Sequence, residues 1–129
     1  MPLQLTLKPR ERVILGGAVV RNGDHRTHLI IENKIPVLRE ADILSPDRVH
    51  TACERLYLTL QLMYVDSANT VQYRKTFRVL ADDILDAAPS CGPHLLEIVD
   101  HVEAGRLYQA LKRTRVLIDH EKELTDRAS

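Results

Sequence analysis

The sequence has few aromatic residues, few cysteines and no excess of either charge. Its 129 residues include no tryptophan and only two cysteines, which cannot form the disulfide framework of a small secreted domain. Eighteen basic residues balance eighteen acidic ones, which excludes a protein that coats nucleic acid or anionic lipid through bulk charge. No apolar run approaches the roughly 20 residues of a membrane span, and the first residues lack the charged start and apolar core that are typical of a signal peptide. We therefore expect a cytoplasmic protein without a membrane contact.

The residues that are present divide unevenly along the chain. Hydrophobic residues make up 44% and charged residues 28% of the sequence, a composition typical of a globular domain. Residues 8–39 contain seven lysines and arginines against three acidic residues, a local balance of +4. All five aromatic residues, in contrast, follow residue 50. The first third of the chain is therefore basic and free of aromatic rings.

The first 44 residues have the pattern of short β-strands. Leu3, Leu5 and Leu7 alternate with polar residues, which is typical of a half-buried strand. Asn22-Gly23 predicts a tight hairpin between the third strand and the fourth. The predicted strands lie at residues 3–7, 12–15, 18–20, 27–31 and 36–39.

The hydrophobic period becomes helical after Leu44. Ser45-Pro46-Asp47 is typical of a helix start, so the first helix is predicted to run from there to about residue 65. Three more helices follow, at about 69–88, over a short segment ending near Gly105, and from Leu107 into the charged tail. The predicted fold class is α+β. A small antiparallel sheet in residues 1–44 precedes a bundle of about four α-helices in residues 45–129, packed with it as one domain.

Two histidine motifs have spacings that occur in metal sites. His25 and His28 are three apart on a predicted strand and would face opposite sides, which is poor geometry for one ion. His94, Glu97 and His101 share a helix face, but no fourth ligand is indicated nearby. Both motifs are therefore interpreted as ordinary polar residues, and no metal or other cofactor is predicted.

No set of residues indicates an active site. Cys53 lies in an apolar helical stripe, and Cys91 lies in a Pro-Ser-Cys-Gly-Pro loop where exposure is plausible but no base is near. Gly16-Gly17 lacks the spacing of a phosphate-binding loop, and Asp82-Asp83 face different ways on a helix. The sequence predicts a protein that is not an enzyme.

The basic N-terminal segment is the best candidate for a binding surface. Its arginines can form forked contacts with phosphates and base edges. Such residues also keep a small sheet soluble and discourage edge pairing, so this alternative stays open. The lack of rings removes the stacking platforms that many RNA-binding sheets use. RNA binding here would depend on guanidinium groups and backbone amides.

Four stretches of the chain resemble the FlbT family of flagellar regulators. They are residues 5–24, 38–44, 61–64 and 108–112, and they keep the family order over nearly the whole chain. The resemblance implies a bacterial protein that controls flagellin synthesis after transcription by associating with the 5′ leader of flagellin mRNA. It also implies a functional link to a small helical companion, FlaF.

The first 44 residues also resemble the RNA-binding sheet protein CsrA. The early Lys-Pro-x-Glu-x-Val-x-Leu and the late Val37-Leu38-Arg39-Glu40 are similar to its opening and closing strands. By this resemblance Arg39 matches an RNA-contacting arginine, and Lys8 and Arg10 approximate the basic residues of the first strand. The chain departs from that family by adding helices.

The sequence supports two hypotheses for the function of the protein. The first is a regulator that binds the flagellin mRNA leader and affects its translation and stability. Its candidate RNA contacts are Lys8, Arg10, Arg12, Arg21, Arg26 and Arg39. The alternative is an adaptor or chaperone whose helices bind flagellin or a FlaF-type partner, with Tyr57 and Tyr73 at the edges of their helical stripes. Free sheet edges also make a homo-oligomer an expectation.

Overall fold

A computed structural model describes residues 2–128, without the side chain of Ala128, and confirms the α+β class. The chain forms two compact units, which we call the β-unit (up to Ile43) and the helical unit (from Leu44). That the two pack together as one domain stays a prediction.

Five strands form two small antiparallel sheets in the β-unit. The strands are β1 (Leu3–Leu7), β2 (Arg12–Leu15), β3 (Ala18–Arg21), β4 (Thr27–Ile31) and β5 (Val37–Arg39). β1 pairs with β4, and Leu5 lies opposite Leu29. β2 lies between β3 and β5, so that Ile14 faces both Val19 and Leu38. The turn at Gly16-Gly17 joins β2 to β3, and Gly16 has a φ of 62°, which favours glycine.

The predicted hairpin at Asn22-Gly23 is wrong. β3 and β4 belong to different sheets, and neither Asn22 nor Gly23 has the positive φ that a type I′ turn requires. The Asn22 side chain has a different role, described below.

Alternating apolar residues of both sheets form the core of the β-unit. Leu5 and Leu7 of β1 and Val13 of β2 are buried together. Partly buried side chains of β2, β3, β4 and β5 complete this cluster: Leu15, Val20, Leu29, Ile31 and Val37. The period-2 pattern therefore identified Leu5 and Leu7 as inward-facing, while Leu3, which it placed with them, is 45% exposed.

The helical unit contains four α-helices. They are α1 (Ala52–Val65), α2 (Thr70–Ala87), α3 (Gly92–Glu103) and α4 (Leu107–Ala128). α1 and α4 are antiparallel, because Glu121 accepts a hydrogen bond from the Cys53 amide while the Tyr64 and Tyr108 rings lie 6.2 Å apart at the other end. Within residues 2–128, no helix is long and apolar enough to cross a membrane.

The first helix begins later than predicted. Pro46–Arg48 form a short 3₁₀ turn, and the Ser45 side chain makes no capping hydrogen bond. α1 begins after Thr51, whose hydroxyl accepts from the Glu54 amide at 3.2 Å. Glu54 accepts from the Thr51 amide at 3.0 Å in return, which completes a capping box. The predicted start at Ser45 is therefore wrong, because Pro46 lies in the 3₁₀ turn and the capping box of Thr51 and Glu54 begins α1.

The buried faces of the later helices differ from the prediction at a few positions. The helical period predicts an inner face that includes Phe77, Ala81, Ile84 and Leu85 on α2; the first three are buried, but Leu85 is 42% exposed. It also places Leu96 on the inner face of α3, where Leu96 is 64% exposed and Ile98 is buried instead. The fourth helix continues to Ala128 rather than fraying in the charged tail.

Candidate nucleic-acid interface

A cleft at one end of the β-unit brings three of the predicted site residues together. Its volume is about 510 Å³. The lining residues are Lys8, Pro9, Arg10, Glu11, Arg39, Glu40 and Ala41. The β1–β2 loop supplies one wall, and the end of β5 with the residues after it supplies the other. Residues about 30 positions apart in sequence thus form one surface.

The β1–β2 loop is a turn with an arginine at an unusual backbone position. The Glu11 amide donates to the Lys8 carbonyl at 3.1 Å, and Pro9 occupies the second position. Arg10 has a φ of 65°, in the left-handed region where this type of turn favours glycine. A side chain there costs about 1–2 kcal/mol. The fold therefore keeps an arginine at the rim of the cleft at an energetic cost.

Asn22 and Gly23 hold this turn in place. The Asn22 side-chain amide donates to the carbonyls of Lys8 at 2.8 Å and His25 at 2.9 Å. The Asn22 backbone amide donates to the Glu11 carbonyl, and the Arg10 amide donates to the Gly23 carbonyl. The Asn-Gly pair is therefore not a hairpin turn. Its hydrogen bonds form a bracket that holds the β1–β2 loop, which we call the cleft loop, in place.

Glu11 joins the two walls of the cleft. Its carboxylate accepts from the Lys8 amide at 2.9 Å and from Arg39 Nη2 at 3.3 Å. The Lys8 amide is the main reason that the pKa of Glu11 lies below its ordinary 4.5, and Arg39 adds to the effect. Arg39 Nη2 also donates to the Thr6 carbonyl at 2.7 Å. Arg39 is thus a structural bridge as well as a cleft residue.

Two further predicted arginines lie beside the cleft. Arg12 Nε is 3.4 Å from Glu40 Oε1. Arg21 Nη1 donates to the Arg10 carbonyl at 3.1 Å, so it supports the strained turn. Five of the six predicted contacts therefore gather around one loop.

Arg26 and Lys8 differ from the other predicted residues in having no side-chain partner among residues 2–128. The exposed Arg26 lies in the β3–β4 connection, and no contact joins it to the cleft. Lys8 lines the cleft, and its exposed ammonium forms no salt bridge or hydrogen bond within residues 2–128, although its charge helps to lower the pKa of Glu11. Lys8 is therefore the cleft cation with the greatest freedom to meet a ligand.

Sequence reasoning missed the acidic residues of the cleft. Asp24 lies 2.6 Å from Arg10, and Glu11 and Glu40 pair with Arg39 and Arg12. Extending the stretch 8–39 to residue 42 adds two carboxylates and lowers its balance to +2. No local pattern indicates these pairs, because each arginine meets a carboxylate that is distant in sequence. The cleft presents acceptors as well as donors.

The histidine motifs have other partners. His28 is 3.0 Å from the Thr6 hydroxyl across the β1–β4 pair. Glu97 pairs with Arg113, and His101 accepts from Arg106 Nε at 3.1 Å. No group of three or more candidate ligands in the described part of the chain is arranged to hold a metal ion.

Both cysteines are buried in the helical unit. Cys53 is buried as predicted, but Cys91 is buried too, in a 3₁₀ turn between α2 and α3, so its plausible exposure is wrong. Burial raises the pKa of both thiols. Neither has the environment of a reactive thiolate.

The two tyrosines considered for a protein-binding surface have internal contacts. Tyr57 is 2% exposed, and the Arg115 guanidinium lies 5.5 Å from its ring centre. The Tyr73 hydroxyl donates to Asp66 at 2.8 Å. Tyr57 is thus buried along α1, and Tyr73 joins the first turn of α2 to the residue that follows α1.

Comparison with known proteins adds an independent observation. The model of the family described as "Flagellar protein FlbT" matches residues 3–125. The chain is 41% identical to a "Probable flagellum biosynthesis repressor protein FlbT 1" of Bradyrhizobium diazoefficiens over 125 residues, which cover 96% of this chain and 85% of that protein.

Two other relatives give the same result. A "Flagellum biosynthesis repressor protein FlbT" of Caulobacter vibrioides is 38% identical over 95% of this chain and 89% of its own length. A relative of the same description, marked probable, from Rhodopseudomonas palustris is 36% identical over 98% of this chain and its own whole length. No solved structure gives a significant match. The chain belongs to the FlbT family of flagellar proteins.

Proposed function

We propose that this chain regulates flagellin synthesis by binding the 5′ leader of flagellin mRNA through the cleft of the β-unit. Its named relatives are repressors of flagellum biosynthesis, which supports a regulatory role. Binding of the leader would affect translation and stability of the message. This activity would take place in the cytoplasm and would need no cofactor.

The convergence of Lys8, Arg10 and Arg39 on one cleft is the observation that carries the proposal. Lysine and arginine side chains that line one cleft can contact neighbouring phosphates of a folded RNA. The Arg10 side chain is 69% exposed, although its Nη2 already lies 2.6 Å from Asp24 Oδ1. Residues 1–50 contain no phenylalanine, tyrosine or tryptophan, so recognition would depend mainly on RNA shape, phosphates and unpaired base edges.

The acidic residues of the cleft are consistent with selective rather than general binding. Glu11 and Glu40 repel a phosphate that approaches at random, while a correctly placed RNA can direct its base donors toward them. A chain with no net charge also has little long-range attraction for RNA. The affinity for an RNA would therefore depend on how well its phosphates and base donors match the charges of the cleft.

Lys8→Ala tests the proposal with the least structural disturbance. Arg39 is a poorer test, because its substitution also removes the contacts with Thr6 and Glu11. Lys34→Ala is the matched control: Lys34 is an exposed lysine of the same unit, outside the cleft and without a side-chain partner among residues 2–128. We expect Lys8→Ala to weaken leader binding about three- to tenfold and to reduce the salt slope by about one unit.

The measurement is leader-RNA binding across a salt series, with an unrelated RNA of equal length as a reference. Equal affinities of Lys8→Ala and Lys34→Ala would remove the cleft from the binding site. Copurification with and without RNase tests the adaptor alternative. A flagellin or helical partner that survives nuclease treatment, together with a leader RNA that does not bind, would contradict the proposal.

A further inference from the structure

Three arginines in or beside the cleft each have a carboxylate partner within the β-unit, and the three pairs differ in how firmly the carboxylate is held. The pairs are Arg10 with Asp24, Arg12 with Glu40, and Arg39 with Glu11. A phosphate that binds one of these guanidinium groups has to share it with the carboxylate or displace it. The firmness of each pair therefore decides which arginine a phosphate can reach.

Glu11 is the most firmly held carboxylate. Its side chain is 13% exposed and accepts hydrogen bonds from both the Lys8 amide and Arg39. Moving it would release the turn between β1 and β2 as well as the end of β5. A phosphate does not displace Glu11 without disturbing the cleft itself.

Asp24 is held much more loosely. Its side chain is 70% exposed, and its contact with Arg10 Nη2 at 2.6 Å joins two side chains that both lie largely in water. The backbone of Arg10 is fixed independently, because its amide donates to Gly23 and its carbonyl accepts from Arg21. Asp24 can therefore leave Arg10 while the turn stays in place.

We infer that Asp24 is an internal competitor for the RNA phosphate that Arg10 binds, and that it suppresses the binding of unstructured polyanions. This inference rests on the proposed function, because it names the regulation of the same cleft. An RNA that places a phosphate at Arg10 and makes further contacts in the cleft displaces the carboxylate. A flexible polyanion without those further contacts gains too little to do so.

The strained backbone of Arg10 agrees with this assignment. Glycine would be more favourable at its φ of 65°, and an arginine whose only role was to pair with an exposed aspartate would contribute little stability in return. A phosphate contact accounts for a side chain kept at an unfavourable position. In this assignment Arg10 binds the phosphate, and Asp24 competes with the phosphate for Arg10.

Asp24→Asn tests the inference, with Glu32→Gln as the matched control. Glu32 is an exposed acid of the β-unit with no partner among residues 2–128, so its substitution removes one negative charge without releasing an arginine. We expect Asp24→Asn to bind inorganic polyphosphate roughly two- to fivefold more tightly than Glu32→Gln at low salt, the range of competition from an exposed ion pair. The advantage shrinks as salt is added.

The Arg10→Ala background locates the effect. There, Asp24→Asn is expected to change polyphosphate affinity no more than Glu32→Gln does, and circular dichroism of each full-length variant verifies that it is folded. Equal effects of the two substitutions in the wild-type background, or an Asp24→Asn advantage that persists without Arg10, would overturn the inference. If the polyphosphate results hold while leader RNA binds no better than unrelated RNA, the proposed function fails and the competition at Arg10 stands.

Discussion

The two units of this protein use their charged residues in different ways. In the helical unit, Glu54 caps α1, Glu121 accepts from the Cys53 amide, and Arg113 pairs with Glu97 between α3 and α4. These groups serve the fold. In the β-unit, arginines pair with exposed carboxylates around an open cleft, and Lys8 has no partner in residues 2–128. The helical unit also has exposed pairs, of Glu103 with Arg74 and Arg78, so what distinguishes the β-unit is that its cations Lys8, Arg10 and Arg39 line one cleft.

The largest expected effect comes from the core of the helical unit. Leu117 of α4 is completely buried, so Leu117→Ala is expected to lower the free energy of unfolding by about 3 kcal/mol. Denaturant titration followed by circular dichroism measures the loss. Val116→Ala, at the exposed neighbouring position, is the control and should change stability little. Equal losses from both would contradict the assigned helix face.

In the β-unit, the next largest loss of stability is expected from the polar side chain of Asn22. Asn22→Ala removes the donor to the Lys8 and His25 carbonyls and should lower stability by about 1–2 kcal/mol. It should also weaken ligand binding, since the cleft loop loses its bracket. The control is Asn33→Ala, at an exposed residue without a partner in the described range. Amide hydrogen exchange at Arg10 and Glu11 reports the loss directly, and unchanged exchange would argue against the bracket.

The Arg10 turn gives a smaller and opposite effect. Arg10→Gly relieves the positive φ, so it should be more stable than Arg10→Ala by about 1 kcal/mol. Both variants should lose the same affinity for polyphosphate, because both remove the guanidinium. Thermal melts compare the two. Equal stability of the glycine and alanine variants would mean that the backbone is not strained at this position.

The two units should lose stability in different pH ranges as acid is added. Burial, with Arg113 and His120, holds the pKa of His94 in the helical unit below its ordinary 6.5. Unfolding then takes up a proton, so the contribution of His94 to stability declines as pH falls below about 6.5. Melting the His94→Gln variant across pH should show a weaker dependence in this range.

In the β-unit, Glu11 should respond at lower pH. The lowered pKa of Glu11 means that its contribution is present above 4.5 and is lost as pH falls through the folded-state value. Nuclear magnetic resonance of the Lys8 amide follows this loss, and Glu11→Gln should remove it. A Lys8 signal that moves together with the ring signals of His94, and not with Glu11, would contradict the assignment of separate groups.

Local patterns predicted most of the fold because they depend on neighbouring residues. The leucine alternation of β1 and the helical period of α2 both identified buried faces. Pairing between strands depends on residues far apart, and there the Asn-Gly pattern gave the wrong neighbour for β3. The start of α1 was also misplaced, because Pro46 suits a 3₁₀ turn as well as an α-helix.

The candidate site could be predicted in its cations and not in its anions. Lys8, Arg10 and Arg39 were identified from local charge and from resemblance, and the structure brings them to one cleft. Glu40 and Asp24 were not, since their effect depends on which arginine each one meets in space. A charge balance over a segment contains no information on pairing.

Crosslinking to RNA in living cells, followed by mapping of the crosslinked peptide, tests the central claim most directly. We predict that flagellin leader RNA crosslinks within residues 8–39, with Lys8 and Arg10 in the modified peptide, and that Lys8→Ala reduces the yield while Lys34→Ala does not. Crosslinks confined to the helical unit, or a yield that both variants leave unchanged, would contradict the account.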